Sequence, residues 1–143
     1  MSVTQPHAVP TSLGIDYDKR LMLFSGRANP ELAARIAGKL GIDLGGVTLK
    51  TFSNGEAYCR YEESIRGADV FIVQPTCGNP RTGINANDAL VELLLMADAA
   101  VGASAHRVIA VMPWYGYSRQ DKKSAPREPI SARLVARMLE SAG

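Results

Sequence analysis

Three short segments of the sequence combine aromatic, charged and glycine residues at spacings that suit ligand binding. The first, residues 52–56, contains Phe52, Asn54 and Glu56 between two strand-like stretches. An aromatic ring and a carboxylate acceptor at a rigid turn could stack on a base and accept its exocyclic amine. An Asn-Gly pair between strands is more often a purely structural hairpin turn. Taken alone, this segment favours the structural interpretation.

The second segment, residues 115–129, is rich in charge, glycine and proline and has the composition of a mobile loop. It carries the cations Arg119, Lys122 and Lys123, with Gln120 among them, directly after a predicted strand. Ligands of α/β sheets bind at the carboxyl ends of strands, and cations on a closing loop suit a polyphosphate. The alternative is a solvated charged loop, which is the commoner case.

The third segment, residues 62–67, is a charged turn that ends in Gly67. The Ser64 hydroxyl, the Arg66 guanidinium and the glycine amide follow one another closely and could together hold a phosphate. Most charged turns of this kind only connect two strands. Both interpretations therefore stay open for this segment.

Hydrophobic patterning predicts the strands that would position these segments. Continuous apolar runs at 21–24, 70–73 and 108–112 are typical of buried parallel strands, and 70–73 has the character of a central one. Residues 47–52 and 57–61 are strand-like and flank the Asn-Gly turn, which predicts a protruding hairpin.

Three helices are predicted between and after these strands. Asn29 is suited to cap the first helix and Gly41 to end it. Its predicted buried stripe consists of apolar residues four apart, Leu32, Ile36 and Leu40. The second helix, 87–102, is apolar nearly all round and must be buried in this protein or against a partner. Ser131 is suited to cap the third.

Helices that alternate with apolar strands indicate an α/β fold with a mostly parallel sheet. The 143 residues fit one domain, predicted at 20–143 and preceded by a flexible tail at 1–19. The sequence stops after a helix, where a doubly wound fold would continue with a strand, so the pattern predicts a truncated domain.

The amino-acid composition limits which kinds of molecule the chain is expected to bind. Sixteen basic against 14 acidic residues give a net charge of +2, which directs the chain neither to nucleic acid nor to a membrane surface. Cys59 and Cys77 lack metal-ligand spacing and are typical of reduced thiols in a cytoplasmic protein. The first twenty residues contain no apolar run that could serve as a signal peptide or membrane span.

In their order along the chain, these segments resemble the ribose-phosphate diphosphokinases, also called phosphoribosyl diphosphate synthetases. The resemblance covers nearly everything from residue 20 to residue 143. The matching segments are 23–26 with 29–33, then 52–56, 63–67, 92–94, 115–121 and 127–132. The resemblance implies a phosphoribosyltransferase-like, doubly wound, mostly parallel sheet with a protruding β-hairpin, truncated after a helix.

The resemblance also implies an activity. Enzymes of this family transfer the β,γ-diphosphoryl group of ATP to ribose 5-phosphate with magnesium, giving phosphoribosyl diphosphate and AMP. Phe52, Asn54 and Glu56 would hold adenine from a hairpin that reaches the neighbouring subunit's site. Arg119 and Gln120 on the mobile loop would contact the same nucleotide.

Further roles follow from the same resemblance. Ser64, Arg66 and Arg127 match positions that line a regulatory site between subunits, where phosphate activates or ADP binds. The family's magnesium-binding histidine, its catalytic lysine and arginine and its ribose 5-phosphate loop lie beyond the position of Gly143. The chain alone is therefore expected to contain no catalytic residue or metal ligand and to be inactive. Family assemblies are homo-oligomers, dimers that build a hexamer.

Two other functions are alternatives to this one. A non-catalytic subunit that associates with a true synthetase and regulates it would keep the same nucleotide-binding segments, so the choice between the two stays open. An oxidoreductase domain of the Rossmann type is disfavoured because no Gly-x-Gly-x-x-Gly fingerprint follows a strand.

Overall fold

The computed structural model describes residues 20–143, and the predicted tail at 1–19 lies outside the described residues. Every predicted strand and helix is present, with strand bounds within one residue of the prediction. The elements in chain order are β1 (Leu21–Ser25), α1 (Pro30–Leu40), β2 (Val47–Thr51), β3 (Ala57–Tyr61), β4 (Asp69–Val73), α2 (Ala86–Gly102), β5 (Arg107–Val111) and α3 (Ser131–Ala142).

Strands β1, β4 and β5 form a parallel sheet with β4 in the centre, as the apolar run at 70–73 predicted. Leu21 pairs with Asp69 and Asp69 with Arg107, so the three strands start level with one another. Because the strands are parallel and in step, the segments that follow them all leave from the same edge of the sheet. That edge is where the candidate site lies.

Alternation of side chains along the strands gives the sheet two apolar faces. One face is covered by α2 and by the β2–β3 hairpin, and the other by α1. The strand residues buried on the first face are Met22, Phe24, Val70 and Ile72. Those buried on the second are Leu23 and Val73. The α/β prediction of a sheet with helices on both sides is therefore confirmed.

The predicted stripe of α1 is wrong at Leu40 and confirmed only in part at Ile36, which packs half-buried against the core. The buried residues of this helix are Ala33 and Ala37, whereas Leu32 and Ile36 are half-buried and Leu40 is 56% exposed. Small side chains four apart let the helix lie close against the sheet, and the larger apolar residues then flank the contact. The prediction counted only the large apolar side chains, so it placed the centre of the buried face one residue too early along the helix.

The predicted helix ends have mixed outcomes. Asn29 caps α1, because its Oδ1 accepts a hydrogen bond from the Leu32 amide at 3.1 Å. Gly41 ends that helix with a left-handed φ of 69°. The cap predicted for α3 is wrong. Ile130 occupies the N-cap position, and Ser131 is already the first helical residue and makes no capping bond.

Helix α2 packs one side against the sheet and the hairpin. Val91, Leu95 and Val101 remain exposed on its outer side, so their burial against a partner stays a prediction. Val91 and Leu95 border an apolar groove between α2 and α3 that also includes Met138. Within residues 20–143, no helix combines the length and the apolar character needed to cross a membrane.

The hairpin stem is anchored on the core by Tyr61. Its ring meets Phe24 edge to face, with centroids 4.7 Å apart, and its hydroxyl donates to the Met96 carbonyl at 2.8 Å. Burial, with a smaller contribution from the Glu92 carboxylate, raises the pKa of the neighbouring Cys59 thiol to about 11. Burial also raises the pKa of the Tyr61 hydroxyl, with Cys59 adding to the effect.

These raised pKa values predict a loss of stability at alkaline pH. Above the unfolded thiol's pKa of about 8.5, the unfolded chain releases a proton that the folded chain retains. The free energy of unfolding should therefore fall from about pH 9 as the pH rises toward the folded pKa of about 11. Urea denaturation at several pH values measures this slope, and Cys59→Ala should make it shallower. Cys77→Ala is the control for loss of a thiol, and an unchanged slope in Cys59→Ala would contradict the prediction.

Candidate nucleotide site

The candidate site lies at the edge of the sheet where the parallel strands end. The turn after β1, the connection from β4 to α2 and the loop after β5 all leave from this edge. The tip of the hairpin, residues 52–56, lies beside the start of α2 and shares a cavity with it. Two of the three predicted binding segments are therefore at the same edge.

Internal hydrogen bonds fix the conformation of the hairpin tip. The Phe52 amide donates to the Glu56 carbonyl at 2.8 Å, and Gly55 has a positive φ of 91°, as the Asn-Gly turn predicted. The Asn54 amide group donates to Glu56 Oε2 at 2.7 Å, and Asn54 Oδ1 accepts from the Glu56 amide at 3.1 Å. Asn54 therefore orients the carboxylate that could accept a ligand's amine.

The Phe52 ring is 45% exposed and belongs to a small aromatic cluster. Tyr58 meets it edge to face, with centroids 5.9 Å apart. The ammonium group of Lys50 lies 5.1 Å from the centroid of Phe52 and 4.7 Å from that of Tyr58. Lys50 and Tyr58 were missed in the sequence, although their positions opposite each other across the hairpin were available from the predicted strand register.

A cavity of about 430 Å³ separates the hairpin tip from the start of α2. A pocket of this size can take a small aromatic ligand. Phe52 supplies an aromatic surface, Glu56 and Asp88 supply carboxylates, and Arg27 supplies a guanidinium. Polar groups of both signs around an apolar ring suit a nucleotide, whose base is flat and whose phosphates are anionic.

Beneath this cavity lies a buried polar network that sequence analysis missed. Arg27 Nε pairs with Glu92 Oε2 at 2.5 Å, and the Arg27 amide donates to Glu92 Oε1 at 2.6 Å. Gln74 Nε2 donates to Glu92 Oε1 at 3.1 Å, while Gln74 Oε1 accepts from the Ala28 amide at 3.1 Å. A Cβ at Gly26 would lie 2.2 Å from Gln74 Oε1, so only glycine fits there. The charged Glu92 in an apolar helix was the available signal, because a buried carboxylate requires a partner.

The loop after β5 is attached to the same edge through Thr76. The Thr76 amide donates to the Trp114 carbonyl at 3.0 Å, and the Gly116 amide donates to Thr76 Oγ1 at 2.7 Å. Arg119 and Gln120 line a second cavity of about 340 Å³ beside this attachment. The Arg119 side chain is exposed, as a residue that meets a soluble anion must be. The predicted mobility of the loop stays a prediction.

Gln120 also holds the start of α3. Its Oε1 accepts a hydrogen bond from the Ser131 hydroxyl, and its carbonyl accepts from the Ala132 amide at 3.2 Å. The Ala132 carbonyl in turn accepts from the Tyr115 hydroxyl at 2.7 Å, and burial raises the pKa of Tyr115. These contacts explain why Ser131 is not a cap, because a loop residue satisfies the first helical turn instead.

One hydrogen bond links the linings of the two cavities. The Tyr117 hydroxyl donates to Asn87 Oδ1, and Asn87 lines the hairpin cavity while Tyr117 lines the loop cavity. The structure therefore brings Phe52, Asn54 and Glu56 together, and separately Arg119 and Gln120. It does not place Phe52 and Arg119 around one cavity.

The third predicted segment lies elsewhere. Ser64 and Arg66 are exposed and precede β4, whereas Arg127 lies between β5 and α3 with a positive φ of 71°. Within one chain the three residues therefore belong to opposite edges of the sheet. The Gly67 amide predicted to help bind phosphate is already used, because it donates to the Ser104 carbonyl at 2.9 Å.

The residues that the structure describes, 20–143, include no group of three or more His, Cys, Asp or Glu side chains arranged to hold a metal ion. No magnesium ligand is therefore assigned among these residues, and the use of magnesium stays a prediction.

Comparison with known proteins identifies the domain. The family profile described as the N-terminal domain of ribose phosphate pyrophosphokinase matches residues 21–143. The chain belongs to this family. A ribose-phosphate pyrophosphokinase of Gloeobacter violaceus is 51% identical over 126 residues, which cover 88% of this chain and 36% of the relative. A chloroplastic ribose-phosphate pyrophosphokinase 1 of Oryza sativa subsp. japonica is 47% identical over 144 residues, which cover 99% of this chain and 35% of the relative.

A solved structure shows that the chain has the expected fold. The crystal structure of phosphoribosylpyrophosphate synthetase from Mycobacterium smegmatis matches it with a TM-score of 0.80 and 47% identity. The match covers 87% of this chain and 40% of that one. The predicted family and fold class are therefore confirmed, and this chain spans well under half the length of its relatives.

Proposed function

We propose that this domain supplies the ATP-binding side of an enzyme that transfers diphosphate from ATP to ribose 5-phosphate. The products would be phosphoribosyl diphosphate, a precursor in nucleotide biosynthesis, and AMP. The observation that carries the proposal is the hairpin tip, where the exposed Phe52 ring stands beside a Glu56 carboxylate oriented by Asn54. Such a tip offers adenine both a stacking surface and an acceptor for its exocyclic amine.

Arg119 is proposed to meet the phosphates of the same nucleotide. Its guanidinium is exposed on the loop after β5, and guanidinium groups form strong charge-assisted bonds with phosphate oxygens. In one chain, Arg119 and Phe52 line different cavities. The complete site is therefore proposed to combine the loop of one subunit with the hairpin of another. Catalysis would then rest on positioning and charge neutralisation.

Homo-oligomers, with dimers that build a hexamer, are part of this proposal. The apolar groove between α2 and α3 supports it, because Val91, Leu95 and Met138 are 36–47% exposed there. Exposed apolar patches of this kind mark protein contacts. A cytoplasmic location likewise remains a prediction.

The hairpin is tested with Phe52→Ala and Glu56→Ala in a full-length protein, meaning this domain within a chain of its relatives' length. Stacking of a base on an aromatic ring is worth about 1–3 kcal/mol, so Phe52→Ala should raise the KM for ATP roughly tenfold or more. Glu56→Ala should raise it as well, and the KM for ribose 5-phosphate should stay near the parental value. Arg60→Ala, at an exposed position on β3, is the control. Parental ATP kinetics in both hairpin variants would exclude the assignment.

A regulatory anion site at Ser64 and Arg66 is also proposed, completed by Arg127 of another subunit. All three side chains are exposed. In the full-length protein, Arg66→Ala should abolish activation by inorganic phosphate, because alanine cannot replace a charge-assisted guanidinium contact. The KM for ATP should change little. Equal activation by phosphate in Arg66→Ala and the parent would remove this site from the proposal.

A further inference from the structure

Arg27 occupies an unusual position between the buried core and the surface hairpin. Its side chain is 29% exposed, while that of its partner Glu92 is 2% exposed. Glu92 is held from two other directions as well, by the Arg27 amide at 2.6 Å and by Gln74 Nε2 at 3.1 Å. A carboxylate fixed by three donors is a rigid anchor, so the guanidinium bound to it has little freedom to move.

The outer end of the same guanidinium reaches the hairpin. Arg27 Nη2 donates to Thr51 Oγ1 at 2.9 Å. Thr51 is the last residue of β2 and immediately precedes Phe52. The planar guanidinium therefore connects a buried anchor on α2 to the residue beside the proposed base-stacking ring.

The rest of the hairpin is held differently. Tyr61 fixes the stem through its bond to the Met96 carbonyl, and the bonds among Phe52, Asn54 and Glu56 lie within the tip itself. Contacts internal to the tip preserve its shape but do not set its direction relative to the sheet edge. The bond from Arg27 to Thr51 ties the end of β2 beside the tip to the buried pair of Arg27 and Glu92.

We infer that Arg27 is a positioning residue. Through its bond to Thr51, it holds the hairpin tip in the orientation that nucleotide binding requires. This inference rests on the proposed function of the tip. A tip that keeps its internal conformation but has the wrong orientation loses ground-state contacts with adenine, and this loss raises the KM for ATP. The transfer step takes place on the phosphates, away from the tip, so kcat should be preserved.

Thr51→Val is the sharpest test because it removes the hydroxyl and leaves the buried pair of Arg27 and Glu92 intact. Thr48→Val is the matched control. Thr48 lies on the same strand, and its hydroxyl donates to Glu62 Oε1 at 2.8 Å, away from the tip. In the full-length protein, loss of one hydrogen bond should raise the KM for ATP about two- to tenfold in Thr51→Val. The kcat and the Tm should match the parent, and Thr48→Val should show parental kinetics.

A second variant tests the role of the guanidinium. Arg27→Lys keeps the charge beside Glu92 but cannot hold Glu92 and Thr51 in one planar group, so it should raise the KM for ATP as Thr51→Val does. The double variant Arg27→Lys/Thr51→Val should be no worse than either single one, because both changes break the same link.

The outcomes separate this inference from the proposed function. A raised KM in Thr51→Val with parental kinetics in Thr48→Val, and no further rise in the double variant, supports the inference. A parental KM in Thr51→Val beside a raised KM in Phe52→Ala overturns the inference alone. Equal effects in Thr51→Val and Thr48→Val, or additive effects in the double variant, also overturn it. A parental KM in Phe52→Ala overturns the hairpin assignment and the inference together.

Discussion

Replacing Arg27 with alanine is expected to lower the free energy of unfolding of the 143-residue chain by about 3 kcal/mol. The reason is the Glu92 side chain, which is 2% exposed and would lose its ionic partner inside the core. Removing one member of a buried ion pair costs about 3–5 kcal/mol, and the lower value applies because Gln74 and the backbone at residue 27 still donate to Glu92. Urea denaturation of the purified chain measures the change.

Two controls show that the effect belongs to the buried pair. Arg35→Ala, at an exposed position on α1, should change stability by less than about 0.5 kcal/mol. Adding Glu92→Gln to Arg27→Ala should restore more than half of the loss, because the glutamine is neutral and can still accept from Gln74. If Arg27→Ala unfolds at the parental urea midpoint, the buried pair of Arg27 and Glu92 does not stabilise the fold.

Most of the fold was predictable because its signals are local. Apolar runs and the Asn-Gly turn are adjacent in sequence, so strand bounds were within one residue of the structure. The errors arose where tertiary packing, rather than the local sequence, determines which residues are buried. Whether Ala33 or Leu32 faces the sheet depends on how closely α1 approaches it, and that distance is set by residues far away in the chain.

The candidate site shows the same division. Phe52, Asn54 and Glu56 are neighbours in sequence and form one local turn, so their grouping could be predicted. The network of Arg27, Gln74 and Glu92 joins three elements separated by up to 65 residues, and no local pattern pairs them. Likewise, Gln120 takes the place of a cap at α3 from 11 residues upstream of Ser131.

The largest expected effect is a complete loss of activity in the chain by itself. The 143-residue polypeptide should make no phosphoribosyl diphosphate from ATP, magnesium and ribose 5-phosphate. Its proposed binding residues engage only the nucleotide, and its relatives match it over 35–36% of their length. Nucleotide binding by the chain should be weak. The binding curve should become steeper at protein concentrations that favour association, because the proposed site needs a hairpin from a second chain.

The most direct test of the proposed function is the release of AMP, measured for the purified chain beside the full-length protein under identical conditions. AMP release that depends on ribose 5-phosphate is expected in the full-length protein, and none above background is expected in the chain alone. A full-length protein that binds ATP but releases no AMP would be a non-catalytic regulatory subunit. AMP release by the chain alone, at a rate comparable to that of the full-length protein, would contradict the account, because residues assigned only to nucleotide binding would then be sufficient for the transfer.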